Sequence, residues 1–251
     1  MNILLLGHRD IASLTAINRV VAGLSGHSHT VLLSEKDGDE NVLLDRLAET
    51  DHDLCDRFLN GELGVSPQEA ITQRPAGAFE APNSDEGLDK LRQLKPDLII
   101  SIRYRKILHD EAISIPPQGV INLHSGILPD YRGVMATFWA MLDDQAEIGT
   151  TLHRITDSGI DTGPVIAIDR RPADYSRSYL SNVLSLYPAG CRSVVSAVQK
   201  LAAGEALDEQ SQPSGGRYFR APNEEAVRGF DARGLNLVDG AEDQDLLKPR
   251  F

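Results

Sequence analysis

The sequence predicts an α/β fold: a Rossmann-like, mostly parallel twisted sheet with helices on both faces, followed by a short C-terminal extension. Two observations carry this. Short apolar runs such as Ile3–Leu6 end abruptly in turn residues, as strands buried on both faces do. Strand, helix and strand also succeed one another before Ser34, which is the opening of a βαβ unit.

The elements follow in order. Ile3–Leu6 runs into Gly7, and Ile11–Leu24 then places Ile11, Leu14, Ile17, Val20, Val21 and Leu24 at helical spacing. Thr30–Leu33 is a second short strand. The turn between the first strand and helix reads Gly7-His8-Arg9-Asp10, which lacks the G-x-G-x-x-G dinucleotide fingerprint, so a nicotinamide cofactor is not expected. Residues 34–84 are polar and acidic, with a helical segment near Asn41–Leu59 and a turn-rich portion around Pro67–Pro82. An amphipathic helix over Asp85–Leu94 precedes a strand at Pro96–Ser101. Further strands are expected at Gly119–Leu123, Thr150–Ile155 and Pro164–Ile168, with helices at Val134–Leu142 and Tyr179–Ala203. Residues 1–203 form the expected α/β domain. Residues 204–251, with one short helix near Asn223–Ala232, read as a strap packed on it.

Composition narrows the function classes. A net charge of -12 favours solubility and offers no general attraction for a polyanion, so nucleic acid is not an expected partner. Cys55 and Cys191 are isolated thiols without metal-type spacing, which suits a reducing cytoplasm and argues against a disulfide framework or structural zinc. The apolar run at the N-terminus is far too short for a signal segment or a membrane span. The expectation is a cytoplasmic protein without a membrane partner, and a homodimer stays open.

Chemistry concentrates in Val120-Ile121-Asn122-Leu123-His124. Alternation puts Asn122 and His124 on one face of a strand, and polar groups there need partners or a place at its carboxyl end. In open parallel sheets that end is where ligands bind. Taken alone, the pair also fits a capped strand end with a hydrogen-bonded His. The loop Thr156-Asp157-Ser158-Gly159-Ile160-Asp161-Thr162-Gly163 adds carboxylates, although Asp157 or Asp161 beside glycine also suits turn formation. Asp161-Thr162-Gly163 matches the aspartic protease tripeptide, but such a protease needs two copies in an all-β or dimeric setting. An amide, an imidazole and a carboxylate from adjacent strand ends suit acyl transfer to an amine. Asn122 can donate to the oxyanion, His124 can donate as imidazolium or take the amine's proton, and Asp161 can receive that proton directly or through water. Neither a nucleophilic Ser or Cys nor a metal is required.

From Pro96 to Ala167 the chain resembles the folate-dependent formyltransferases. The pieces are Pro-Asp-Leu-Ile-Ile-Ser, then Tyr104-Arg105-Lys106-Ile107-Leu108, Ile-Asn-Leu-His, and Ile127-Leu128-Pro129-Asp130-Tyr131-Arg132-Gly133. Phe138-Trp139-Ala140, Ile148-Gly149-Thr150-Thr151-Leu152-His153 and Gly159-Ile160-Asp161-Thr162-Gly163 complete the series. The resemblance implies a catalytic trio of Asn122, His124 and Asp161, and 10-formyltetrahydrofolate as the formyl donor. It implies that Arg105, Lys106, Ile107 and Leu108 hold the pterin, and that Thr156, Asp157, Ser158, Gly159 and Ile160 form the loop closing over it. Leu128 is a further cofactor contact and shapes, with Pro129, the turn after the catalytic strand; Arg132 and Gly133 help to fix that turn, although Arg132 equally suits an exposed salt bridge, and His153 packs or hydrogen-bonds. Where many members read His-Pro-Ser, this chain reads His124-Ser125-Gly126, a looser turn at the acceptor side.

The expected acceptor is a small-molecule amine. The family's tRNA-specific members carry a basic C-terminal domain, unlike the acidic tail here. Its purine-pathway members expect a Gly-, Ser- and Asn-rich phosphate loop where this chain has Gly7-His8-Arg9-Asp10. Gly7, His8 and Arg9 could meet a phosphate at the helix start, with Asp10 opposing it; alternatively Asp10 is the helix cap and Arg9 is solvated. A compact core with a strap most resembles the sugar N-formyltransferases, which points to a nucleotide-linked amino sugar. A small amine, an amino acid or glycinamide ribonucleotide are the alternatives, with Ser125 and Gly126 as further acceptor contacts. A hydrolase releasing formate would use the same trio, but related hydrolases carry an added N-terminal domain. A non-catalytic folate or nucleotide binder would not require the trio.

Overall fold

The computed structural model describes residues 1–35, 44–63 and 78–239. In chain order its elements are β1 (Asn2–His8), α1 (Ile11–Gly23), β2 (Ser28–Ser34), α2 (Asp45–Leu59), α3 (Asp85–Leu94), β3 (Leu98–Ile102), α4 (Asp110–Ile113) and β4 (Val120–His124). They continue with β5 (Tyr131–Gly133), α5 (Ala136–Leu142), β6 (Glu147–Ile155), β7 (Val165–Pro172), α6 (Tyr179–Ala202), β8 (Arg217–Phe219) and α7 (Glu224–Ala232). The expected helix near 41–59 begins at Asp45, with 36–43 outside the described residues. Most of the expected turn-rich portion also lies outside them.

Helix boundaries follow their caps. The Asp10 carboxylate accepts from Ser13 N, Ser84 from Gly87 N, Ser178 from Ser181 N and Asn223 from Ala226 N. Each satisfies an amide that the first turn leaves without an internal partner.

The main sheet has the order β2-β1-β3-β4-β6-β7. β2, β1, β3 and β4 run parallel, while β6 runs antiparallel to β4 and β7 antiparallel to β6. Alternate residues feed two cores. Ile3, Leu5, Ile100, Ile121 and Leu123 pack with α1 and α6 on one face. Leu4, Leu6, Ile99 and Val120 pack with Leu88 and Leu91 of α3 and Ala112 of α4 on the other. Helices therefore cover both faces, as the continuous apolar runs require.

Sequence periodicity did not reveal β5, β8 or α4, which are too short to show a repeat. β5 pairs with β8 in a separate parallel ribbon. Beyond residue 203 the chain contributes Val227, Phe230, Leu235, Leu237 and Val238 to the larger core, with Phe230 stacked 4.5 Å from Phe138. Among the described residues no helix is long and apolar enough to cross a membrane.

Candidate active site

The parity of β4 sets the site. Ile121 and Leu123 are buried in the larger core, so Asn122 and His124 point to the opposite face. There Asn122 is paired across β6 with His153. Asn122 Nδ2 lies 3.0 Å from His153 Nε2 and 3.4 Å from Asp161 Oδ1. His124 Nδ1 is 3.5 Å from Asp161 Oδ2, and His153 Nε2 is 3.3 Å from Asp161 Oδ1. The structure thus brings Asn122, His124 and Asp161 into one cluster and places a second imidazole within it.

Asp161 does not come from an adjacent strand end at the same rim, which corrects the expected geometry. β6 is antiparallel, so its last residue, Ile155, lies opposite Val120, the first of β4. The loop over 156–163 must double back across the sheet to deliver Asp161 to His124. Asp161 itself adopts φ 54°, a left-handed conformation that costs energy for a side-chain-bearing residue. Two contacts hold it there. Gly133 N donates to Asp161 Oδ2 at 2.7 Å, and Gln212 Nε2 donates to the carbonyls of Asp161 and Gly163, each at 2.8 Å. Asp157, by contrast, makes a turn, accepting from Gly159 N at 2.7 Å.

Electrostatics follow from this packing. Burial alone would raise the Asp161 carboxyl, but the imidazoles of His124 and His153 and the Gly133 amide outweigh it and hold it at about 2. The carboxylate is therefore ionised at neutral pH. His124 Nε2 lies 2.7 Å from the Tyr131 carbonyl oxygen, so that nitrogen carries a proton. Only the doubly protonated ring also donates to Asp161 from Nδ1. His153 Nδ1 donates to the Arg154 carbonyl at 2.7 Å, which leaves its Nε2 to accept from the Asn122 amide when the ring is neutral.

Gly126 is needed at its position. A Cβ there would come within 2.6 Å of His124 Nε2 and 2.8 Å of the Tyr131 oxygen, breaking into the bond that orients the ring. Ser125 is buried, its carbonyl accepting from Thr137 Oγ1 at 2.9 Å. Leu128 is buried with its amide donating to Thr151 Oγ1 at 3.1 Å, and its peptide bond to Pro129 is cis.

The loop over 105–108 is fastened from below by residues 79–83. Asn83 Nδ2 donates to the Ile107 carbonyl at 2.8 Å while its Oδ1 accepts from His109 N at 2.8 Å. Lys106 pairs with Glu80 at 2.8 Å, and Tyr104 donates to the Phe79 carbonyl at 2.6 Å. Ile107 is left 48% exposed, but Leu108 is 3% exposed within the smaller core. Of the two apolar side chains that this loop was expected to offer a pterin, only Ile107 is open. Thr156, Asp157, Ser158 and Gly159 are exposed, and Ile160 is half-buried.

The turn after β1 is closed to an anion. Asp10 caps α1 and pairs with Arg103 at 2.8 Å. Ile11 N is taken by Asp51 Oδ1 at 3.0 Å, and Arg9 N by the Ser34 carbonyl at 2.9 Å. Gly7 and His8 are buried, and the half-buried Arg9 side chain reaches Asp56 at 3.2 Å. The acceptor contact expected of Gly7 and His8 therefore lacks both surface and free amides. Tyr131 and Gly133 show in the sequence only as parts of the turn after β4, because each acts through a backbone group, and Gln212 carries no signal, because it reaches Asp161 from 51 residues away.

Comparison with known proteins places this geometry. A methionyl-tRNA formyltransferase from Kosmotoga olearia is 32% identical over 123 residues, which is 49% of this chain and 39% of that protein. The chain thus matches about two fifths of the length of this relative. Among solved structures, a glycinamide ribonucleotide transformylase from Symbiobacterium toebii superposes with a TM-score of 0.60 at 16% identity, covering 84% of this chain and 93% of that one. A formyltransferase from Anoxybacillus kamchatkensis, in complex with UDP-4,6-dideoxy-4-formamido-L-AltNAc and tetrahydrofolate, gives 0.54 at 20% identity, over 99% and 98% of the chains. At these identities the structural likeness is one of fold. The sequence match decides the family: the profile described as formyl transferase covers residues 50–181, more than half of the chain and all of the Asn122–His124–Asp161 cluster. On that match, the chain belongs to the formyl transferase family.

Proposed function

We propose that this protein transfers a formyl group from 10-formyltetrahydrofolate to the amino group of a nucleotide-linked amino sugar. The observation that carries the reading is the convergence of an amide, an imidazole and an ionised carboxylate, all within 3.5 Å of a neighbour in the cluster. The acceptor amine attacks the formyl carbon, a C–N bond forms, and the carbonyl oxygen becomes an oxyanion. Asn122 has one N–H committed to His153. The other makes only the 3.4 Å contact with Asp161 and is the one the oxyanion takes. His124 reaches the same oxygen by releasing Tyr131 and donating from Nε2. Asp161 receives the proton of the attacking ammonium, directly or through one water. Cleavage of the bond to N10 then returns tetrahydrofolate, which takes up a proton, and the formamide.

The donor's flat ring is assigned to the open side of the 105–108 loop, where Ile107 offers an apolar surface on a backbone fixed by Asn83. The 156–160 loop is the cover. For the acceptor, the filled start of α1 is the relevant feature. Two carboxylates already occupy the amides that would take a terminal phosphate, which weighs against glycinamide ribonucleotide. The fold neighbour from Anoxybacillus kamchatkensis was solved with a nucleotide-linked sugar and tetrahydrofolate, which supports the same class.

The test is incubation with 10-formyltetrahydrofolate and a panel of amines, with mass spectrometry of the products. A nucleotide-linked amino sugar gaining one formyl group is the expected result. Formate release with every amine unchanged would make the protein a hydrolase instead.

A further inference from the structure

β5 is wired directly into the cluster. The Tyr131 carbonyl accepts from His124, and the Gly133 amide donates to Asp161. The residue between them is Arg132. The rings of Tyr131 and Phe219 stack at 5.5 Å on one face of the ribbon, and Arg217 lies over both while pairing with Asp143. By alternation Arg132 and its cross-strand partner Tyr218 present the other face.

That face is unfinished. Arg132 Nε is buried without a hydrogen-bond partner, and its side chain forms no ion pair among the described residues. This is notable in a chain with 37 acidic and 25 basic side chains. A buried donor without a partner is destabilising, and an incoming anion would relieve that cost. Tyr218 is 51% exposed, and its ring carbons lie 2.8–3.0 Å from where a Cβ on Gly133 would stand. Gly133 can hold this contact because it has no side chain and adopts φ 95°.

We infer that the β5–β8 ribbon is the acceptor-binding element, with Arg132 taking an anionic group and Tyr218 stacking on the nucleotide base of the same molecule. The inference rests on the formyl-transfer reading of the adjacent cluster and supplies its acceptor class: an amine linked through phosphate to a base. An arginine and an exposed aromatic at opposed positions match those two chemistries. The amine-bearing group, joined to the anion on the side away from the base, then extends past Gly133 to Asp161.

The chain reports on this ribbon itself, because its single tryptophan, Trp139, stacks on Phe219 at 5.0 Å and donates to the Arg220 carbonyl at 3.1 Å. The experiment titrates the full chain with uridine diphosphate, uridine and inorganic pyrophosphate, reading Trp139 fluorescence and calorimetry. The wild type is expected to bind uridine diphosphate. Arg132→Gln should weaken uridine diphosphate and pyrophosphate about tenfold or more, whereas Tyr218→Ala should weaken uridine diphosphate and leave pyrophosphate unchanged. Thermal melts establish that both variants fold, and Tyr218→Phe should keep the affinity. The inference is overturned if uridine diphosphate binds both variants as it does the wild type, if it does not bind at all, or if Arg132→Gln weakens tetrahydrofolate instead. Tetrahydrofolate is titrated on the same samples: its failure to bind the wild type would remove the formyl-transfer reading, while the nucleotide titration is scored separately.

Discussion

His153 Nε2 lies 3.0 Å from Asn122 Nδ2, directly across the β4–β6 pair. The Asn122 amide is held in one orientation because the other nitrogen of His153 is committed to the Arg154 carbonyl. Removing the imidazole should leave a half-buried amide free to turn, at a cost of about 1 kcal/mol or more. His153→Ala is accordingly expected to lower kcat by about one to two powers of ten with little change in tetrahydrofolate affinity. His153→Gln, which restores an acceptor for Asn122, should recover part of the loss. Steady-state kinetics separate this from a merely structural role, in which KM and melting temperature would move and kcat would not.

Asn122→Ala removes the proposed oxyanion donor itself. The expected loss in kcat is about 10²–10³, with the fold kept because Asn122 is half-buried and belongs to neither apolar core. Single-turnover rates with 10-formyltetrahydrofolate measure it. A variant as fast as the wild type would leave the oxyanion without its assigned partner.

Local periodicity is what made the fold legible. The runs of β1, β3 and β4 and the helical spacing of α1, α3 and α6 are properties of adjacent residues, and so is the shared face of Asn122 and His124. The antiparallel course of β6 is not. It depends on which strand β6 joins, and it changes how Asp161 reaches His124. The side chain of Leu108 is a second case: its apolar character fits a pterin contact and a core position equally, and only tertiary packing shows it in the smaller core. Tyr131, Gly133 and Gln212 act through backbone groups or across more than twenty residues of chain, so residue type alone could not mark them.

Asp51 shows the cost of filling the start of α1 with carboxylates. Burial, and then the charge of Asp10, raise its carboxyl to about 7. A carboxyl raised in the folded state binds its proton there between about pH 4 and 7, whereas the unfolded chain has already released it. Stability should therefore fall as pH rises through this window and level off above it. Asp51→Asn keeps an acceptor for Ile11 N and removes the ionisation. Its expected effect at pH 8 is a gain of about 1 kcal/mol, or about 2–4 °C in Tm, with a flatter profile between pH 4 and 7. Differential scanning calorimetry across that range checks both.

Asp161 carries the opposite sign. Its folded carboxyl sits at about 2 because the two imidazoles and the Gly133 amide favour the charge more than burial opposes it. Unfolded, it titrates near the ordinary value of about 4. The stabilisation is complete above that value and disappears as pH falls from about 4 to 2. Wild type should thus lose more stability than Asp161→Asn over this interval, so that their urea midpoints converge towards pH 2 after differing at pH 6. Parallel profiles would mean that the carboxylate gains nothing from His124 and His153. At neutral pH the same variant should lose about 10²–10⁴ in kcat, because an amide cannot take the proton released by the attacking amine.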